Sequence, residues 1–152
     1  MAANKEYEKL KRKYKSLPPW DWLRKNFDVK IEEDGPVISQ VKNCIAEKFE
    51  SILAKIEPII SGAENFCCYY ERRMLSQKQK DDIFELYKKM QSLIWKANAI
   101  TVNFSEKDAA DWVSDVKDFW EENRAVLVDS FTTISEGWTS KKRTEVETMY
   151  HG

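Results

Sequence analysis

The chain has 152 residues, of which 42% are hydrophobic, 12% aromatic and 34% charged, with a formal net charge of −1. A chain of this length can bury about two-thirds of its unfolded surface in one core. The apolar and aromatic residues supply the side chains for such a core, so the composition excludes an intrinsically disordered protein. Only four glycines and four prolines are present, which argues against an all-β fold with many tight turns. No stretch reaches the roughly 18 consecutive apolar residues of a membrane span, so no membrane partner is expected.

The N-terminal part of the chain predicts two short helices and a turn. A first helix is expected over 4–16, because its apolar residues recur at every third or fourth position. Pro18 and Pro19 interrupt it, and Pro19 can begin a second short helix. Residues 28–35 predict a polar turn, with a short strand at 29–31 as the alternative.

Three long apolar stripes follow, and they predict helices over 37–57, 77–101 and 106–136. A shorter helix is expected over 63–74. The stripe of the last helix consists of Ala109, Trp112, Val113, Val116, Phe119, Trp120, Asn123, Leu127, Phe131, Ile134 and Trp138. These side chains fall on about one third of the helix circumference, so we expect them to face a core.

Local signals set the expected ends of these helices. Pro58 and Gly62 are expected to end the first long helix. Ser76 with Gln79 has the spacing of a capping box for the second, and Ser105 can cap the third.

These elements together predict an all-α, up-down helical bundle with three long helices plus shorter N-terminal helices. A single helical domain over 1–152 is expected. Its parts are the N-terminal helices and turn over 1–35, the bundle core over 36–138 and a partly frayed C-terminal tail over 139–152.

Residues that usually carry catalysis are sparse. His151 is the single histidine, which argues against Ser–His–Asp and Cys–His catalysis and against histidine-based metal sites. No glycine-rich phosphate-binding motif occurs. Cys44, Cys67 and Cys68 are odd in number and predict reduced thiols in a cytoplasm. The sequence therefore favours a non-catalytic protein, with no catalytic residue, metal ligand or cofactor expected.

Five acidic residues follow one face of the last helix at steps of three and four. They are Asp108, Asp111, Asp115, Asp118 and Glu122. This face is well over 100° from the apolar stripe, which is typical of a solvated helix face with acids near the positive end of the helix dipole. The alternatives are a divalent-cation site and an acidic docking strip.

The N-terminal 25 residues carry a formal charge of about +5, whereas residues 105–136 carry about −6. Lys9, Arg12 and Lys13 are the basic residues expected at an interaction surface. A solvated lysine-rich face, phosphate-backbone binding, and attraction to the acidic helix within the fold or between subunits are the three interpretations.

Trp20 and Trp22 lie close together in the second short helix and diverge by about 200° if the segment is helical. One of them is therefore expected to be partly exposed. That tryptophan either anchors an interface or covers the end of the bundle.

The opening pattern Tyr7-x-x-Leu-x-x-x-Tyr-x-x-Leu-Pro-Pro-Trp-Asp-Trp-Leu, with Phe84-Glu-Leu-Tyr-Lys-Lys-Met later, resembles small uncharacterised all-helical proteins of archaea. The resemblance covers the pattern of most of the chain. It implies a helical fold and a cytosolic archaeal setting, and it transfers no catalytic residue and no activity.

The preferred hypothesis is a non-catalytic helical interaction or oligomerising protein, whose partner is a second copy or another protein. The first alternative is a nucleic-acid-associated accessory protein that uses the basic N-terminal helix. The least favoured alternative is a carboxylate-based metal binder or enzyme, because catalytic carboxylates usually face a cleft.

Overall fold

A computed structural model describes residues 2–32, 34–62 and 65–140. Of these residues 84% are helical and none forms a strand, which confirms the predicted all-α bundle. The helices are α1 (Ala2–Lys13), α2 (Trp20–Phe27), α3 (Val37–Ser61), α4 (Phe66–Met74), α5 (Gln77–Val102) and α6 (Glu106–Thr139). His151 and positions 141–152 of the predicted tail lie outside the described residues.

The described residues divide into two compact units. The first comprises the described residues of 1–52 and 89–122, and the second comprises those of 53–88 and 123–152. Helices α1 and α2 belong to the first unit and α4 belongs to the second, whereas α3, α5 and α6 contribute residues to both. The single domain over 1–152, with its core over 36–138, stays a prediction.

The N-terminal elements differ from the prediction in their bounds. Helix α1 ends at Lys13, although Leu17 still donates its N–H to the Tyr14 carbonyl at 3.1 Å in the turn that follows. Pro19 occupies the N-cap of α2 rather than its first helical position. Residues 29–31 form no strand, because the described chain offers no neighbouring strand to pair their backbone groups.

Pro58 does not end α3, which corrects the prediction. The helix continues to Ser61, because a proline in the last turn removes only one backbone hydrogen bond and leaves little helix to disrupt. Gly62 follows the helix with a φ of +70°, a left-handed conformation that glycine adopts without a steric penalty. Gly62, rather than Pro58, therefore marks the stop.

Both predicted helix caps are confirmed. At the start of α5 the Gln79 N–H donates to Ser76 Oγ at 3.1 Å, and the Ser76 N–H donates to Gln79 Oε1 at 2.9 Å. At the start of α6 the Asp108 N–H donates to Ser105 Oγ at 3.3 Å. These bonds satisfy N–H groups that have no partner inside their own helix.

The core of the first unit is a cluster of aromatic rings around Phe49 of α3. The centroid of the Phe49 ring lies 5.7 Å from Phe27, 5.8 Å from Phe119 and 6.0 Å from Trp120. Phe49 is completely buried. The cluster joins α2, α3 and α6, and these distances are typical of favourable edge-on and tilted aromatic pairs.

The apolar stripe of α6 faces the core as far as the middle of the helix. All six of its members in the first unit are buried. In the second unit Leu127 is buried, but Phe131 and Trp138 are 36% and 44% exposed, so the core-facing prediction is wrong for these two. Trp138 instead packs against Tyr70 of the short α4, with ring centroids 4.7 Å apart.

Candidate functional site

All ten residues predicted for an interaction surface lie in the first unit. They fall in three places, namely one side of α1, one side of α6 and the two tryptophans of α2.

The acidic face of α6 consists of Asp108, Asp111, Asp115, Asp118 and Glu122, and all five residues are exposed. Lys107 Nζ lies 3.1 Å from Asp111 Oδ2, which is an ordinary pair between neighbouring turns. The part of the chain that the structure describes holds no group of three or more side chains that could bind a metal ion. The acidic face is a solvated strip of negative charge.

The basic face of α1 consists of Lys5, Lys9 and Arg12, which are all exposed. At about 100° per residue these positions point away from Tyr7, which is completely buried. Within residues 2–32, 34–62 and 65–140, no carboxylate pairs with any of the three cations.

Lys13 lies on the same side of α1 as Lys9 and Arg12, but it differs from them because its charge is paired with a carboxylate. Its Nζ lies 2.9 Å from Oε1 of Glu106, and the Tyr14 hydroxyl donates to the same oxygen at 3.0 Å. The hydrogen bond with Glu106 raises the pKa of Lys13, and the hydrogen bonds from Lys13 and Tyr14 lower the pKa of Glu106. This exposed pair joins the basic N-terminus to the acidic helix within the unit.

The two tryptophans of α2 are both half-buried. Trp20 packs against Tyr7 with ring centroids 5.1 Å apart. Trp22 packs against Phe27 at 5.6 Å, and its Nε1 donates to Glu121 Oε1 at 2.6 Å. The two rings point to different sides of α2, as their spacing predicts, and both are partly exposed where the sequence predicted this for one.

Two lysines that sequence analysis missed hold helix C-termini. Lys42 is 2% exposed, and its Nζ donates to Thr101 Oγ1 in the last turn of α5 at 2.5 Å and to the Ala97 carbonyl one turn earlier at 3.3 Å. Burial lowers the pKa of Lys42. Helix α5 has no basic residue in its own last turn, so Lys42 supplies the positive charge that the helix dipole favours there. In the sequence, Lys42 falls inside the apolar stripe of α3, and this position is the signal that could have identified it as a buried lysine.

Lys48 of α3 places its positive charge at the C-terminus of α2. Its Nζ donates to the Asn26 carbonyl and lies 5.3 Å from the centroid of the Phe27 ring and 5.7 Å from that of Trp120. Trp120 Nε1 donates to Asn26 Oδ1 at 3.0 Å, which satisfies the buried amide. An ammonium group above aromatic rings and beside a helix C-terminus is stabilised by both.

The first unit also exposes large apolar side chains that the sequence analysis did not single out. Trp95 of α5 is 68% exposed, Val102 at the end of α5 is 89% exposed and Phe104 in the next turn is 45% exposed. Trp95 lies outside the apolar stripe of α5, and an aromatic residue off the stripe is the signal that could have found it.

A cavity of about 380 Å³ lies beside Trp20. Its walls come from the start of α1, one side of α2 and the irregular segment 29–32. The chemically important lining residues are Trp20, Arg24, Val29, Lys30, Ile31 and Glu32. This volume lies near the lower end of the range for small-molecule pockets, roughly 300–1,000 Å³.

Comparisons with protein-family models, with curated proteins and with solved structures found no match to this chain. No described helix is long and apolar enough to cross a membrane. The resemblance to archaeal helical proteins stays a prediction. The function proposed below is therefore argued from the charged faces, the exposed apolar side chains and the cavity of the first unit.

Proposed function

We propose that this chain is a helical interaction protein that self-associates, with the basic face of α1 in one copy against the acidic face of α6 in another. One observation carries the proposal. A single compact unit exposes two helix faces of opposite charge, and no ion pair among the described residues joins the two faces.

A two-fold arrangement suits this distribution of charge. When both faces belong to one chain, a symmetric dimer forms the contact between basic and acidic faces twice. Complementary charge accelerates association and selects the partner, whereas buried apolar side chains slow dissociation. Trp95, Val102 and Phe104 are exposed apolar side chains of the same unit that are available for the second role.

The wild-type chain should form a dimer or higher oligomer at tens of micromolar, and added salt should weaken it. The Debye length falls from about 10 Å at 0.1 M salt to about 3 Å at 1 M, so the attraction between exposed faces is screened. Light scattering at both salt concentrations measures the mass. A monomer of 18.0 kDa in both conditions would contradict self-association.

Charge reversal identifies the two faces. The double variant Lys9→Glu, Arg12→Glu makes both faces acidic, and the triple variant Asp115→Lys, Asp118→Lys, Glu122→Lys makes both basic. Neither should self-associate, but a mixture of the two should form a heterodimer with two complementary contacts. Lys25→Glu with Lys89→Glu changes the net charge as the first variant does, but at exposed positions outside both faces, and should leave the mass unchanged.

A second candidate is association with nucleic acid through the basic face of α1, because Lys5, Lys9 and Arg12 have no carboxylate partner among the described residues. Fluorescence anisotropy with random DNA should then show binding that weakens steeply between 50 and 200 mM salt, as counterion release requires. Lys9→Glu with Arg12→Glu should abolish it. Binding that survives this variant would exclude the basic face.

A cytoplasmic location belongs to this proposal. Cys44, Cys67 and Cys68 are free thiols in the structure, and free thiols are usual in a reducing compartment. Fractionation of the cells that produce the protein tests this location.

A further inference from the structure

We propose that the cavity beside Trp20 binds a nucleotide, with the base on the Trp20 ring and the phosphate held by Arg24 and Lys30. This inference does not depend on self-association, because its residues lie outside the basic and acidic faces.

The Trp20 ring is held in place before any ligand arrives. Part of it packs against Tyr7, at a centroid distance of 5.1 Å, while Trp20 also lines the cavity. Tyr7 is completely buried, and its hydroxyl donates to the Pro18 carbonyl at 2.5 Å. A fixed aromatic surface loses little conformational entropy on binding, and a base of any identity can stack on it.

Arg24 supplies an anion-binding group on the same side of α2, one turn after Trp20. It is exposed, and among the described residues no carboxylate pairs with it. The planar guanidinium group presents several N–H donors in the geometry that phosphate oxygens accept. A phosphate beside the Trp20 ring therefore has a partner within the same cavity.

Lys30 adds a second cation. Its Nζ lies 3.7 Å from Asp28 Oδ2, and the two side chains are 69% and 84% exposed, so water screens the pair and it holds Lys30 weakly. Glu32 also lines the cavity, so the described lining residues carry two cationic groups and one carboxylate.

The remaining walls suit a base rather than an inorganic ion. Val29 is 4% exposed and, with Ile31, gives the cavity an apolar side. The Glu32 carboxylate can accept hydrogen bonds from base amino or imino groups. The volume of about 380 Å³ fits one nucleotide better than a dinucleotide. A free nucleotide and a nucleotide unit of a single strand share this chemistry.

Calorimetric titration with AMP, adenosine and inorganic phosphate tests the proposal. AMP should bind at least about tenfold more tightly than either fragment, because base stacking and charge-assisted hydrogen bonds both contribute. Arg24→Gln should weaken AMP binding about tenfold or more. Lys25→Gln, at an exposed neighbouring position that does not line the cavity, should change it less than about twofold.

Trp20→Phe keeps a ring and should weaken AMP binding less than Trp20→Leu does. Circular dichroism establishes that each variant folds. If a variant does not fold, mapping of AMP-induced amide shifts on the wild-type protein replaces it, and the shifts should centre on Trp20, Arg24 and 29–32. Shifts centred elsewhere would overturn the proposal.

A short single-stranded oligonucleotide separates the two sources of the nucleotide. If the oligonucleotide binds more tightly than AMP, and Arg24→Gln weakens its binding, the natural ligand is a nucleotide unit of a single strand. If the oligonucleotide binds more weakly than AMP, the natural ligand is a free nucleotide. No binding of either ligand at about 1 mM, or equal binding of phosphate and AMP, overturns the proposal. Lys9→Glu with Arg12→Glu should retain AMP binding, which separates this cavity from the basic face.

Discussion

Replacing Phe49 with alanine is expected to lower the free energy of unfolding by about 3–5 kcal/mol. Phe49 is completely buried, and the rings of Phe27, Phe119 and Trp120 lie within 6.0 Å of its ring centroid. Three rigid rings from two other helices, α2 and α6, cannot readily collapse into the space that the lost ring leaves, so the cavity term adds to the lost burial. Urea unfolding followed by circular dichroism measures the change.

Trp95→Ala is the matched control, because it deletes a larger aromatic side chain from the same unit. Trp95 is 68% exposed, so the change should cost less than about 1 kcal/mol at concentrations where the chain is monomeric. The same contrast is expected on α6 between the buried Phe119→Ala and the exposed Asp115→Ala. Equal losses for Phe49→Ala and Trp95→Ala would show that the Phe49 cluster is not the core of the unit.

Helical periodicity predicted the fold class because an amphipathic stripe is a local property of the sequence. The stripe of α6 shows the limit of that signal. It identifies which side of the helix is apolar, and this side is buried through Trp120. It does not reveal whether another element covers that side, and Phe131 and Trp138 are therefore exposed although they continue the same periodicity.

The charged faces could be predicted from spacing, whereas the pairing of individual cations could not. Lys9 and Arg12 are exposed on α1, but Lys13, next to Arg12 in the chain, pairs with Glu106, 93 positions away. Likewise, Lys42 holds the end of α5 through the Thr101 hydroxyl, 59 positions away. Such pairings depend on how helices pack, and hydrophobic periodicity carries no information about them.

The cavity beside Trp20 has one wall that can be predicted from the sequence and one that cannot. Trp20 and Arg24 are four residues apart, so their common side of α2 can be predicted from the sequence. The wall formed by residues 29–32 could not be predicted, because this segment has neither helical nor strand structure and reaches the cavity only through tertiary packing. Val29 and Ile31 are apolar residues in an otherwise polar segment, and they were the local sign in the sequence that this segment packs against the helices.

Tyr7→Phe is expected to destabilise the protein by about 1–3 kcal/mol at pH 7, because it leaves the buried Pro18 carbonyl without the hydroxyl that donates to it at 2.5 Å. The ring and its contact with Trp20 are kept, so the change isolates the hydroxyl. Tyr14→Phe is the control. Its hydroxyl donates to Glu106, which is near the surface, and its loss should cost less than about 1 kcal/mol.

The Tyr7 hydroxyl should also make stability fall in alkali. Burial, with a smaller contribution from Glu8, raises the pKa of Tyr7 above its ordinary value of 10.0. Above about pH 10 the unfolded chain therefore loses this proton while the folded chain keeps it, and stability decreases with rising pH. Phenylalanine cannot titrate, so the advantage of the wild type is complete below about pH 10 and shrinks above it. Urea unfolding of both proteins from pH 7 to 11 measures the difference, and parallel curves up to pH 11 would show that the hydroxyl is not buried against Pro18.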